Sequence, residues 1–145
     1  MKFFKYAGLA FGMALAAQAV EAQDVPKLIE THSTIELISE KPAFEAGKEQ
    51  WLAVQFTPRE HWHTYWINPG DSGEAPTLNW QLPEGVTASA PVFQTPGLMP
   101  AGGVLMNYGY EQPSELLVKF SVSDSYTQSQ LPIVLDATWL VCESE

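Results

Sequence analysis

Apolar and polar side chains alternate with period two along most of this chain, and helical spacing of apolar residues does not recur. From Glu115 to Val122, the residues Leu116, Val118, Phe120 and Val122 alternate with Glu115, Leu117, Lys119 and Ser121. Successive side chains of a strand point to opposite sides, so this pattern predicts a strand with one buried face. Leu52, Val54 and Phe56 alternate in the same way with Trp51, Ala53 and Gln55, and Leu78, Trp80 and Leu82 with Thr77, Asn79 and Gln81. Shorter strands are expected near Thr34 to Ile38 and Val86 to Val92.

Turn signals separate these runs: Lys41-Pro42, Asn68-Pro69-Gly70-Asp71-Ser72-Gly73, Pro83-Glu84-Gly85 and the stretch from Pro96 to Gly103. Proline presets φ and glycine permits positive φ, so this density of both precludes long helices and marks reversals. Many short strands with frequent turns predict an all-β chain folded as an immunoglobulin-like β-sandwich. There is no internal repeat and no low-complexity tract.

The last apolar run reads as one strand with two unlike faces. Ile133, Leu135, Ala137, Trp139 and Val141 fall on one side and are all apolar; Val134, Asp136, Thr138, Leu140 and Cys142 fall on the other. The first set belongs in the core. Cys142 is then expected to point away from the core, or to sit where the chain leaves the sheet.

The first 22 residues change the compartment rather than the fold. Lys2 and Lys5 form a basic start, the apolar stretch from Tyr6 to Ala17 is too short for a membrane span, and Val20-Glu21-Ala22 offers small residues for cleavage before Gln23. Residues 1–22 therefore read as a secretory signal and 23–145 as one exported domain, with the bacterial periplasm the expected location. The whole chain carries 7 basic against 17 acidic side chains, a formal charge of −10. Such a surface repels phosphate backbones and anionic lipid, which disfavours nucleic-acid and lipid-surface partners and leaves proteins or small ligands.

Candidate chemistry centres on Cys142, the single cysteine of the chain. A lone thiol can be a small buried hydrophobe or a group for intermolecular exchange, and both readings stay open at this level. Glu143 and Glu145 lie beside it, and a carboxylate about 6 Å away in water costs a thiolate about 0.7 kcal/mol. With no cation nearby in sequence, Cys142 should be a slow attacker, better suited to a disulfide that another thiolate attacks.

His61 and His63 stand two apart and would share one strand face, as a metal pair requires; Met99, Met106 and Cys142 could add soft ligands for Cu(I). The alternative is two exposed imidazoles opposite a buried Trp62 and Trp66. Trp62, Tyr65, Trp66, Tyr108 and Tyr110 all lie beside turns, where aromatic side chains either pack a small sandwich or line a groove. No nucleophile elbow, papain-type motif or phosphate-cradling glycine loop is present, which removes classical hydrolysis.

Three stretches together carry a family resemblance: His61-Trp62-His63-Thr64-Tyr65-Trp66-Ile67-Asn68-Pro69-Gly70-Asp71-Ser72-Gly73, Asn107-Tyr108-Gly109-Tyr110-Glu111 and Trp139-Leu140-Val141-Cys142. Over most of its mature length the chain resembles the N-terminal periplasmic domain of DsbD-type protein-disulfide reductases, in particular the ScsB-like branch. In that family Trp-Leu-Val-Cys is followed by three residues and a second cysteine. The resemblance thus implies that Cys142 is the first member of a Cys-x3-Cys pair, that Glu143, Ser144 and Glu145 are the intervening residues, and that the chain is a fragment ending just before the second cysteine.

The resemblance further implies a relay without any cofactor. Electrons would cross a membrane-embedded domain, pass to a thioredoxin-like domain of the same reductase, and reach the cysteine pair, which reduces periplasmic thioredoxin-fold proteins. Membrane contact would come only through those downstream domains. An aromatic cap shields the pair in such relatives, and by position Tyr108 or Tyr110 is the candidate. The competing classes are a periplasmic copper-binding module using His61 and His63, and an interaction module without chemistry.

Overall fold

The structure, a computed structural model, describes residues 32–144. The secretory signal expected over residues 1–22 lies outside the described residues. Two sheets and a ribbon make up the domain. The first sheet runs β1 (Ser33–Ser39), β2 (Glu49–Pro58), β9 (Ser114–Val122), β5 (Val86–Ala88), with β6 (Val92–Phe93) also paired to β9. The second runs β11 (Val141–Glu143), β3 (Trp62–Gly70), β8 (Leu105–Tyr110), β7 (Gly97–Ala101). The ribbon pairs β10 (Val134–Thr138) with β4 (Thr77–Gln81), and every pairing is antiparallel. This is the all-β, immunoglobulin-like sandwich that the alternation predicts.

The core grows directly from the two strongest period-two runs. β2 and β9 pair so that Leu52 faces Val118 and Val54 faces Leu116. These four join Phe56, Val86, Phe120 and Val122 in one buried cluster, with Val54, Val118 and Phe120 fully excluded from solvent. Burying a side chain of this size contributes about 1.5–3 kcal/mol against leaving it exposed. The ribbon closes over the cluster with Leu78, Trp80 and Leu135, and Trp80 meets Phe120 edge-on at 5.0 Å between ring centroids. On the opposite face of β2 and β9, Trp51 and Leu117 stay partly exposed, and the Lys119 ammonium lies 3.4 Å from Glu49 and over the Trp51 ring.

Several elements differ from the pattern's prediction for identifiable reasons. The run Val86 to Val92 is two short strands, both paired to β9, because Pro91 has no N–H for the ladder. Ser89 repairs the gap: its N–H donates to the Lys119 carbonyl at 2.8 Å and its Oγ accepts the Lys119 N–H at 3.0 Å. The Pro96 to Gly103 stretch, read as a turn, contains β7, an edge strand bonded only to β8 in which Pro100 costs little. The turn proper is confined to its end, where Gly102 and Gly103 take positive φ.

The last run is broken as well. Its first half, β10, pairs with β4, and after Trp139 and Leu140 the chain re-enters as β11 at the edge of the other sheet, beside β3. Trp139 is the pivot. Its ring meets Phe56 at 5.4 Å and its indole N–H donates to Ser33 Oγ at 2.8 Å, which anchors the crossover against β1 and β2. The two halves of the run therefore face different neighbours, and the crossover delivers Cys142 to β3.

Candidate functional site

The pairing of β11 with β3 sets Cys142 directly opposite His63, flanked by Val141 opposite Thr64 and Glu143 opposite Trp62. Residues opposite one another in an antiparallel pair project to the same face, and residues two apart on a strand share it too. Cys142, His63 and Tyr65 are thereby gathered on one face. Thr64 takes the other, bordering a narrow gap with Phe56, Leu116 and Trp139 between the layers. The ladder continues past the strand end, where the Ser144 N–H donates to the His61 carbonyl at 2.6 Å.

A hollow of about 380 Å³ opens over this face. His63, Tyr65, Cys142 and Ser144 line one side, Leu98, Met99, Pro100 and Ala101 of β7 another, and Glu111 and Glu143 its rim. Cys142 is half-buried and carries a free thiol.

His63 and Tyr65 are buried, 7% and 3% exposed, and their polar atoms are matched to partners. His63 Nδ1 lies 3.1 Å from Ser144 Oγ and Nε2 lies 3.0 Å from the Tyr65 hydroxyl. Ser144 Oγ donates in turn to Glu111 Oε1 at 3.2 Å, and Cys142 lines the hollow on the same face as Tyr65. A continuous polar chain thus runs from the phenol through imidazole and hydroxyl to a carboxylate at the rim, with Cys142 on the same face beside its phenol end.

Burial governs how these groups ionise. It lowers the His63 pKa from its ordinary 6.5, and the Glu111 carboxylate opposes the shift only partly, so the imidazole is neutral at neutral pH. Burial, then the hydrogen bond and charge of Cys142, raise the Tyr65 phenol far above its usual range and keep its hydroxyl protonated.

The long motif from His61 to Gly73 holds Tyr65 in place. A Cβ added at Gly73 would overlap the Tyr65 ring, so only glycine lets that segment close over the phenol. The segment is tied down at β8, where Asn107 Oδ1 accepts the Ser72 N–H at 3.0 Å, Asn107 Nδ2 donates to Ser72 Oγ at 2.9 Å, and Asp71 Oδ2 accepts the Met106 N–H at 2.8 Å. Gly109 has a similar role across the sheet, since a Cβ there would strike the Thr64 carbonyl and Met99.

Other sequence candidates fall elsewhere. His61 precedes β3 in a tight turn, with φ of 68°, and its exposed ring approaches Glu60 at 3.7 Å. His63 alone enters the hollow. The expectation of two exposed imidazoles opposite a buried Trp62 and Trp66 is reversed for His63: it is buried, whereas Trp62 and Trp66 are half-exposed and Trp62 stacks on His32 at 3.8 Å.

Among the described residues, no group of three or more His, Cys, Asp or Glu converges as a metal site would require. Tyr110 is buried, donates its hydroxyl to the Gln94 carbonyl at 2.7 Å and has its pKa pushed up to about 12 by burial. Tyr108 packs 6.4 Å from Trp66. Neither tyrosine lines the hollow, whose apolar wall is Leu98 to Ala101 instead. Tyr65, Ser144 and Glu111 were not singled out as site residues from the sequence. The alternation that puts Tyr65 on the His63 face was legible, but the β11–β3 pairing that makes it matter was not.

Comparison with known proteins agrees with the motif pattern. No curated protein sequence matches the chain. The crystal structure of the N-terminal periplasmic domain of ScsB from Proteus mirabilis shares the fold, with a TM-score of 0.57 at 22% identity, over 79% of this chain and 42% of that one. The family described as thiol:disulfide interchange protein DsbD, N-terminal, matches residues 34–145. That match spans the sandwich, the hollow and Cys142, and the chain belongs to the DsbD N-terminal domain family of thiol:disulfide interchange domains.

Proposed function

We propose that this domain works in the periplasm as the substrate-facing end of a protein-disulfide reductase, with Cys142 as an exchange-active sulfur. Electrons would arrive from a membrane-embedded reductase through its thioredoxin-like domain and leave to periplasmic thioredoxin-fold proteins. As the family resemblance implies, the intramolecular partner of Cys142 is a second cysteine in a Cys-x3-Cys pair. Thiol–disulfide exchange requires only sulfur, a route for the proton and access for a second sulfur, and no cofactor takes part.

The observation that carries this reading is the setting of Cys142. It is a half-buried free thiol lining a hollow, on a short edge strand, with Tyr65 and His63 on the same face. A purely structural cysteine would be expected inside the cluster around Phe120, which contains none. The acidic surface also fits docking to a protein rather than to nucleic acid.

Trapping tests the reading directly. The domain is mixed with a thioredoxin-fold protein whose resolving cysteine is changed to alanine and whose remaining cysteine is activated as a mixed disulfide. A covalent adduct that dithiothreitol dissolves, and that Cys142→Ser abolishes, is the expected result. Failure of the native domain to form an adduct that the denatured chain forms readily would mean that Cys142 is inaccessible, and would end the proposal.

A further inference from the structure

We propose that His63 is the proton acceptor and donor for Cys142, acting through the Tyr65 hydroxyl, with Ser144 and Glu111 holding the imidazole in the tautomer this requires. The proposal rests on the reading of Cys142 as an exchange-active sulfur and says how its proton moves.

The geometry permits one consistent direction of hydrogen bonding along the chain. Glu111 Oε1 accepts from Ser144 Oγ–H at 3.2 Å, so the Ser144 oxygen is free to accept from His63 Nδ1–H at 3.1 Å. With its proton on Nδ1, the neutral ring presents the Nε2 lone pair to the Tyr65 O–H at 3.0 Å. The Tyr65 oxygen is then placed to accept the S–H of Cys142, which shares its face of the sheet and lines the same hollow. Each link carries one proton, and all of them point from sulfur towards the carboxylate.

Shifting two protons one step along the chain produces a thiolate at Cys142 and an imidazolium at His63, with Tyr65 still neutral. In that state Nε2–H donates to the phenol oxygen and the phenol O–H donates to the sulfur anion, so the same contacts serve both protonation states. The thiolate attacks one sulfur of a partner disulfide, forming a new S–S bond as the old one breaks. The leaving thiolate takes the proton that the imidazolium returns. Cys142 ends oxidised in the mixed disulfide, one partner sulfur is reduced to a thiol, and the relay regains its starting state.

The charges around His63 suit this role. Glu111 from the segment after β8 and Glu143 from β11 are the charged groups at the hollow, and both are acidic. Burial, the larger influence, favours the neutral ring, whereas Glu111 favours imidazolium. A ring held neutral by burial but facing a carboxylate can take a proton from a donor in the hollow and return it. The sequence alone offers no cation near Cys142, and the pairing of β11 with β3 supplies a conditional one.

The test is the pH dependence of Cys142 alkylation by iodoacetamide between pH 4 and 10, measured on the whole domain. In the native domain the rate should rise in two steps: one below the ordinary histidine value of 6.5, and one at high pH where solvent ionises the thiol. His63→Gln keeps a polar side chain but cannot take up a proton, and Tyr65→Phe cuts the link. Each should erase the lower step and reduce the rate at pH 7 about tenfold or more, with the native rate kept at pH 10. Ser144→Ala, at the half-buried end of the chain, should weaken the lower step without removing it, and serves if a core variant fails to fold.

Profiles of unchanged shape in Tyr65→Phe and Ser144→Ala would overturn the relay. Reaction with a dipyridyl disulfide separates the two levels of the argument. If native Cys142 exchanges with it but the variants share the native pH profile, only the relay fails; if native Cys142 does not exchange at all, the functional reading fails with it.

Discussion

The two sheets of this domain are built on different physics. In the β1-β2-β9-β5 sheet the buried face is mainly apolar, from Leu52 and Val54 to Phe120 and Val122, with the buried polar residues Ser33, Gln50 and Ser114 confined to strand starts. In the β11-β3-β8-β7 sheet the buried set includes His63, Thr64, Tyr65 and Asn107. The first is stabilised by area removed from water, which is non-directional and forgiving of exact partners. The second buries polar groups that cost free energy unless they meet partners, and apart from the unpartnered Thr64 hydroxyl its geometry is tied to particular bonds such as Ser72 to Asn107 and His63 to Tyr65. One sheet makes the domain fold; the other makes one arrangement of side chains around Cys142 specific.

Substitutions should separate the two regions, beginning with the core. Phe120→Ala opens a void beneath Phe44 and Trp80 and should cost about 3–5 kcal/mol, read as a lower midpoint in urea denaturation. Gly73→Ala probes the other sheet, because the added methyl must displace the Tyr65 ring; it should cost about 1–3 kcal/mol in the same measurement. If Gly73→Ala cost as much as Phe120→Ala, the view of the second sheet as the minor contributor to stability would be wrong.

Tyr110→Phe removes a buried hydroxyl that donates to the Gln94 carbonyl and should cost about 1 kcal/mol at neutral pH. Its pH dependence is a separate check. The folded Tyr110 pKa of about 12 lies above the unfolded value of 10.0, so its contribution is complete below pH 10 and is lost as pH rises from there through 12. Tyr65 is shifted in the same direction. Tyr110→Phe should therefore reduce the slope of stability against pH above 10 without abolishing it, as followed by denaturation at several alkaline pH values.

The smallest effect should be at His63. Its folded pKa is lowered from 6.5, so the unfolded chain binds the proton more readily, and stability attributable to the neutral ring is present above 6.5 and declines as pH falls below it. His63→Gln should flatten stability against pH in that acid window and leave the alkaline limb unchanged. An unchanged acid limb would mean that the imidazole is solvated in the folded protein, against its burial beside Tyr65.

The legibility of the sequence follows the same division. The runs at Leu52 to Phe56 and Leu116 to Val122 were readable because each strand buries one face completely, which imprints an unbroken alternation. β7 and β8 were not, because an edge strand with Pro100 and a strand holding Asn107 and Gly109 carry no apolar period. Cys142 could be singled out as the lone thiol, and the His61 to Gly73 motif as specific. The reason for that specificity, a glycine seated against the phenol that lines the hollow with Cys142, lies in contacts between segments brought together by the fold.

By itself the sequence determined an all-β sandwich, its core and the candidate residue for the chemistry, since these depend on local alternation, turn residues and residue type. Only the tertiary structure decided what surrounds Cys142. The last apolar run breaks at Trp139, and its second half crosses to β3. A cysteine followed in sequence by Glu143 and Glu145 is brought opposite a buried histidine about 80 residues earlier in the chain. Local charge is written into neighbouring residues, but the partner across a strand pair is set by which edge remains open when the core has formed.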